Sequence, residues 1–172
     1  LGFDKKTDEK TVQGYTVTYT DEDVDVGNKG TSTDIDAYSF STYRTLNIGK
    51  NKYLEGILGL SKLDFKNIRK DGNNTLNGDR NGNQVFGSLH YINTFKKKNR
   101  DISPNFKLDI SHTTLDDYSE KGINALQYDK QTVETLGISG GFIVSNEILK
   151  KDYILRPSMA LDLGYDLSPS SD

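Results

Sequence analysis

The sequence contains no cysteine, which excludes a disulfide framework and a thiolate metal site. It contains no apolar run of the roughly 18 to 20 residues that a transmembrane helix requires. Neither sign of charge dominates, since 22 basic and 25 acidic residues give a net charge of -3. A nucleic-acid partner is therefore not expected. The one dense basic run, residues 96–100, is interpreted as a solvated turn between strands.

The beginning of the chain, LGFDKKTDEK, has neither an initiator Met nor the apolar core of a signal peptide, so we expect a mature product or an excised fragment. A length of 172 residues suits one domain, and residues 1–172 are expected to form a single one. The hydrophobic share of 33% and the mean hydropathy of -0.68 are low for a globular chain. Ten Tyr and seven Phe nevertheless argue against disorder, which depletes aromatic residues.

Apolar residues recur at every second position rather than at helical spacing, which predicts an all-β chain. The predicted strand segments are residues 12–20, 35–49, 52–65, 84–95, 105–115, 131–144 and 153–167. Residues 21–34 are predicted to form a long acidic connection, and residues 71–83 a polar loop rich in Gly and Asn. The segments are mostly about 10 to 15 residues long, whereas strands in soluble sheets usually have about 5 to 6.

Long strands with two unlike faces are typical of a transmembrane β-barrel. Crossing the hydrocarbon takes about 9 to 11 tilted residues per strand, and the barrel must close because unpaired backbone groups are costly in lipid. Tyr153 and Tyr165, on the apolar parity of the last segment, suit the aromatic belts of such a barrel.

Side chains at alternate positions of these segments point to opposite faces, so one face is apolar and the other is polar. The candidates for contact with lipid are Leu58, Leu60, Leu108, Ile110, Leu136, Ile138, Phe142, Leu155, Leu161 and Leu163. The candidates for a wet lumen are Glu55, Lys107, Asp109, Arg156 and Asp162. Alternation alone does not say which face is inside. The alternative interpretation is therefore a soluble antiparallel β-barrel or sandwich that acts as a binding module.

The spacing of Asp21, Asp23 and Asp25 is similar to the start of a calcium-binding loop. An EF-hand requires Gly at its sixth position and Glu at its twelfth, where this chain has Val26 and Ser32. We interpret the run as a solvated loop and predict no metal site.

Catalytic patterns are weak throughout the sequence. His90 and His112 are the two histidines, and neither lies in an HExxH motif. The carboxylates Asp116, Asp117 and Glu120 could be paired acids, but they fit a loop at a strand end better. We therefore predict no cofactor and no enzymatic activity.

The order of the segments carries a family resemblance. The segments follow one another in this order: GYTVTYT, an acidic loop, YSFSTYRTLNIGKNKYLEGILGLSKLDF, a polar loop ending in DRNGNQVFGSLHY, ISPNFKLDISHTTLDDYSEKG and LRPSMALDLGYDL. This succession resembles the C-terminal β-barrel of bacterial autotransporters, the translocator of type V secretion. The residues in matching positions are Pro104, Leu108, Tyr118, Glu120, Gly122, Leu136 and Gly137.

The resemblance implies an antiparallel up-and-down transmembrane barrel, with about seven to eight strands here of a larger, twelve-stranded barrel. It also implies an outer-membrane translocator in a Gram-negative cell that supports export and anchoring of an N-terminal passenger. The expected partners are outer-membrane lipid, the passenger, its linker helix and the outer-membrane assembly machinery. The chain ends in LSPSSD rather than in a closing strand with a terminal aromatic residue, so we expect an internal piece of the barrel.

Overall fold

A computed structural model of the chain describes residues 1–26 and 30–168, and these residues form strands, turns and irregular segments. The strands are β1 (Gly2–Asp8), β2 (Thr11–Val26), β3 (Thr31–Gly49), β4 (Lys52–Asp71), β5 (Asn74–Asn93), β6 (Phe95–Lys97), β7 (Arg100–Leu115), β8 (Tyr118–Ser119), β9 (Gln127–Tyr128), β10 (Gln131–Asn146), β11 (Ile148–Leu149), β12 (Ile154–Leu155) and β13 (Ser158–Asp166). No helix long and apolar enough to cross a membrane occurs in the described residues.

One antiparallel sheet contains all the long strands, in the order β1-β2-β3-β4-β5-β7-β10-β13, and the short strand β6 also pairs with β7. Each long strand lies beside the next long strand along the chain, as in an up-and-down meander. The all-β antiparallel fold class is therefore confirmed. Within the described residues the sheet is open, with β1 and β13 at its edges.

Two segments that the sequence predicts as loops are mostly strand. Residues 71–83 form a tight hairpin: β4 runs to Asp71, β5 begins at Asn74, and Gly72 takes the left-handed φ of 60° that the turn requires. Residues 21–34 likewise belong largely to β2 and β3, and residues 27–29 lie outside the described part. The loop prediction was wrong because antiparallel backbone pairing continues past the apolar segment into mostly polar residues that lack the apolar alternation of a strand.

The last predicted segment, residues 153–167, is interrupted. Strand β12 ends at Leu155 and β13 begins at Ser158, because Pro157 has no N–H to donate to the ladder. Ser145 pairs with Ser158 and Ile148 with Leu155, so no residue is inserted on either side of the break. The hairpin therefore continues in register beyond the end of the main sheet. The last residues of the LSPSSD ending, 169–172, lie outside the described part.

The two ends of the sheet differ. One end, called the turn end below, carries two-residue turns at residues 9–10, 50–51 and 98–99 and the hairpin between β10 and β13. The opposite end, called the loop end, carries the extended β4–β5 hairpin and residues 116–130.

The sheet has almost no apolar interior. Among the described residues, Leu76 is the one buried hydrophobic side chain, whereas large apolar side chains are exposed on every long strand. Exposed apolar surface on this scale marks an interaction with a membrane or a partner.

Candidate functional site: the two faces of the sheet

The strand register assigns each side chain to one of two faces, because directly opposed residues of antiparallel strands point the same way. Leu60 opposes Phe40 and Val85, and Leu108 opposes Leu89 and Ile138. Continued across the sheet, this relation collects one apolar face. The apolar face carries Phe3, Tyr15, Val17, Phe40, Leu58, Leu60, Val85, Leu89, Phe106, Leu108, Ile110, Leu136, Ile138, Phe142, Met159, Leu161 and Leu163.

The opposite, polar face is the more buried of the two. Ser41, Ser61 and Thr113 on the polar face are 4%, 8% and 8% exposed, whereas Leu58 and Leu60 on the apolar face are 62% and 58% exposed. Side chains crowd together on the concave side of a curved sheet and spread apart on its convex side. The burial pattern therefore indicates a sheet that curves toward its polar face. A soluble barrel with an apolar interior, the alternative interpretation, predicts the opposite pattern.

Charged residues delimit the apolar band along the strands. Toward the loop end it gives way to Asp36 on β3, Lys62 on β4 and Glu134 on β10. Toward the turn end it gives way to Arg44 and Lys52. An apolar band between polar margins is the outer surface pattern of a membrane barrel.

The band also runs obliquely to the hydrogen-bonded rows. Val17 lies at the centre of the band on β2. The row of directly opposed residues that starts at Val17 ends at Glu134 on β10, and its members between them are Phe40, Leu60, Val85 and His112. The centre of the apolar run on β10 is instead Gly140, six residues along the strand from Glu134. A steady displacement of this kind is the stagger of strands tilted against a common axis.

Hydrogen bonds between hydroxyl and amide groups line the polar face. Ser39 and Ser61 approach to 2.8 Å, and Thr16 and Ser41 to 2.7 Å. The Gln84 amide donates to Thr113 over 3.0 Å. These contacts satisfy polar groups that the curvature brings together.

A charged row crosses the polar face nearer the turn end. Glu55, His90 and Lys107 are direct cross-strand neighbours on β4, β5 and β7. His90 Nδ1 lies 3.5 Å from Glu55 Oε2, and Lys107 Nζ lies 2.9 Å from Asp109 Oδ1. The sequence alone did not place His90 beside these groups, although its parity within β5 is the signal that could have done so.

The predicted site residues separate as parity requires, with two exceptions. The nine on the apolar face are Leu58, Leu60, Leu108, Ile110, Leu136, Ile138, Phe142, Leu161 and Leu163. The four on the polar face are Glu55, Lys107, Asp109 and Asp162. Leu155 and Arg156 lie outside the main sheet, where Leu155 pairs with Ile148 and Arg156 Nη2 lies 2.7 Å from Glu147 Oε2.

A clasp holds the segment of residues 116–130, called loop 116–130 below, against the polar face at the loop end. Glu120 is buried, and its carboxylate accepts two hydrogen bonds from the Arg69 guanidinium, at 2.8 and 2.7 Å. The same carboxylate accepts the Leu126 N–H at 2.9 Å, and Arg69 also donates to the Asn124 carbonyl at 3.1 Å. Glu120 therefore pairs with a cation rather than with Asp116 or Asp117.

Aromatic packing completes the loop contact. The Tyr118 and Tyr128 rings are stacked with centroids 4.7 Å apart, and the Arg80 guanidinium lies 5.5 Å from the Tyr118 centroid. The Tyr118 ring covers Gly78, where an added Cβ would lie 2.6 Å from it. Burial raises the pKa of the Tyr118 hydroxyl. Loop 116–130 is thus held by an ion pair to β4 and by ring packing on β5.

The acidic residues near the tip of the β2–β3 hairpin adopt extended strand rather than a calcium-binding loop. Asp21 opposes Asp36, and Asp23 opposes Asp34. Within residues 1–26 and 30–168, no group of three or more Asp, Glu or His side chains is arranged to hold a metal ion.

Acid is expected to release loop 116–130. The Arg69 guanidinium holds the pKa of Glu120 below its ordinary value of 4.5, so the clasp stabilises the docked loop above that value. This stabilisation is lost as the pH falls below 4.5 through the lowered pKa. A spin label on Ile123→Cys, in this cysteine-free chain, should become more mobile in that range. In Glu120→Gln the label should be mobile at every pH, and a wild-type label insensitive to acid would refute the clasp.

Comparison with known proteins agrees with this arrangement. A family model described as Autotransporter beta-domain matches residues 1–172. The chain belongs to this family. The autotransporter β-domain is also similar in structure to the translocator domain of autotransporter NalP from Neisseria meningitidis, with a TM-score of 0.83 and 19% sequence identity. The superposition covers 99% of this chain and 59% of the NalP chain, so the chain spans well under two thirds of that domain. A search of curated proteins gave no significant match.

Membership of this family confirms the predicted class and location. The autotransporter β-domain family is one of outer-membrane translocator barrels of type V secretion, and its location is the Gram-negative outer membrane. The family is one of transport barrels.

Proposed function

We propose that residues 1–172 form a single unit, one part of a closed outer-membrane barrel that exports and anchors an N-terminal passenger. The observation that supports this most is the pairing of an apolar convex face, bounded by charges at both ends, with a hydrogen-bonded polar concave face. Lipid is the solvent that suits the first face, and water or a polar chain suits the second. The free edges of β1 and β13 would pair with further strands of the complete barrel.

In this proposal the polar face is the wall of the lumen. Glu55, Lys107, Asp109 and Asp162 would meet the passenger in transit and the linker helix afterwards, and Arg156 would lie at the mouth of the turn end. A wall that carries both signs of charge offers ion pairs to a polar chain without a strong net field. The apolar face would meet outer-membrane lipid, and the assembly machinery would be needed to pair the free edges.

Neighbouring single cysteines test which face meets water. Ile110 is on the apolar face and Asp109 on the polar face, where its side chain is 45% exposed, and the chain offers no competing thiol. In the full-length parent protein, Ile110→Cys should resist a charged maleimide in membranes and react after detergent denaturation. Asp109→Cys should react in membranes whenever the lumen is free of passenger. Equal labelling of the two variants in membranes would contradict the assignment of faces.

Charge reversal in the lumen should slow export. Lys107→Glu removes the partner of Asp109 and, with Glu55 nearby, leaves an acidic row on the wall. We expect slower appearance of the passenger at the cell surface in a pulse-chase assay, with normal amounts of folded barrel. Lys62→Glu, on the opposite face beyond the apolar band, is the matched control. Equal export rates in the two variants would argue against a role for the charged row.

A further inference from the structure

A groove interrupts the apolar face near the turn end. It has a volume of about 490 Å³, and its lining includes Gly56 and Gly87, which have no side chains to fill it. Leu58, Leu89 and Ile110 form its apolar walls. The concavity lies where these two glycines interrupt the apolar side chains; a smaller one of about 280 Å³ lies at Gly140 and has no cationic residue in its lining.

Arg44 lines the same groove and is a cation on an apolar face. It lies in one hydrogen-bonded row with Gln13 and Lys5. In the described part of the chain, no carboxylate lies within 4.0 Å of the Arg44 guanidinium. An unpaired arginine facing lipid is unfavourable unless it reaches a headgroup or another anion.

The geometry points to a binding site for one anionic glycerophospholipid, and this inference rests on the proposed contact of the apolar face with lipid. We infer that the phosphate accepts hydrogen bonds from Arg44, with the Gln13 amide beside it, and that one acyl chain lies in the groove. The charge of the guanidinium selects the headgroup, and the apolar walls select the chain. Short turns mark the periplasmic end of a barrel, so the lipid comes from the periplasmic leaflet.

The test is native mass spectrometry of the full-length parent protein, delipidated in detergent and titrated with dioleoyl phosphatidylglycerol or dioleoyl phosphatidylcholine. We expect one molecule of phosphatidylglycerol to bind, and to bind more tightly than phosphatidylcholine. Arg44→Gln should weaken this binding about tenfold, because a hydrogen bond to a charged group contributes a factor of at least that size. Lys52→Gln removes a cation from the same face and margin but not from the groove, and should leave binding unchanged.

A second variant tests the contribution of the groove to lipid binding while the charge of Arg44 is kept. An added Cβ at Gly56 would meet Leu89 Cδ1 at 3.9 Å, an ordinary contact, so Gly56→Val should fold and occupy the groove. It should weaken phosphatidylglycerol binding with Arg44 intact. A band that shifts on heating of the same preparations would show an intact barrel, so loss of the lipid site alone is distinguishable from failure of the proposed function. Equal affinities of wild type, Arg44→Gln and Gly56→Val in a heat-modifiable barrel would overturn the site.

Discussion

Leu58→Arg is expected to lower the free energy of unfolding of the complete barrel by roughly 2 to 4 kcal/mol, the cost of an arginine on a lipid-facing strand near the bilayer midplane. Leu58 lies within the apolar band, between Leu54 and Lys62 on the same face of β4, and is 62% exposed. Because Leu58 is exposed, the substitution distinguishes a face that meets lipid from a face that meets water. On a sheet whose convex face met water, a charge at such a position would change stability by less than about 0.5 kcal/mol.

Thr45→Arg is the matched control for this experiment. Thr45 lies on the polar face directly opposite Glu55, so the new guanidinium would gain a carboxylate neighbour and remain in a wet environment. Urea titration of the purified full-length parent in lipid vesicles, followed by the loss of the heat-modifiable band, measures both variants. The interpretation fails if the two substitutions have the same effect, or if Leu58→Arg folds as stably as the wild type.

Leu76→Ala is expected to weaken the docking of loop 116–130 by about 2 to 5 kcal/mol, the usual cost of truncating a fully buried leucine. Leu76 is 0% exposed. It lies on β5 under the loop, and an added Cβ at Gly122 would lie 3.4 Å from its Cγ. Because the barrel does not depend on this contact, the loss should be local to the loop.

Protection of the Leu126 and Lys121 amides against hydrogen exchange measures the docking. The Leu126 N–H donates to Glu120 Oε2 at 2.9 Å, and the Lys121 N–H to the Asn77 carbonyl at 2.7 Å. Both amides should exchange more than tenfold faster in Leu76→Ala. Ile123→Ala, a truncation at an exposed position of the same loop, should leave both rates unchanged. Unchanged rates in Leu76→Ala would mean that the loop is held without this contact.

The two experiments address different levels of organisation. Leu58 reports the environment of the whole apolar face, and Leu76 reports one loop seated on the opposite face. Sites this distinct should contribute independently, so the double variant should show each effect at the size it has in the corresponding single variant.

The sequence by itself determined the strand content and the division of side chains between faces. Alternation at period two is a local property, since consecutive side chains of a strand must point to opposite sides. The alternation that places Leu108 and Lys107 on opposite faces therefore does not depend on where a strand is predicted to begin or end. The same locality explains why the family resemblance could be recognised from the order of the segments.

Only the tertiary structure decided where the hairpins end, which face is crowded and which distant groups meet. Backbone pairing extended β4 and β5 through residues predicted as loop, because register is a relation between two strands and not a property of either one. Arg69 and Glu120 are 51 residues apart and meet because loop 116–130 returns to the polar face. Curvature is likewise a property of the assembled sheet. The sequence divides the side chains between two faces, but only the bending of the sheet crowds the side chains of the polar face.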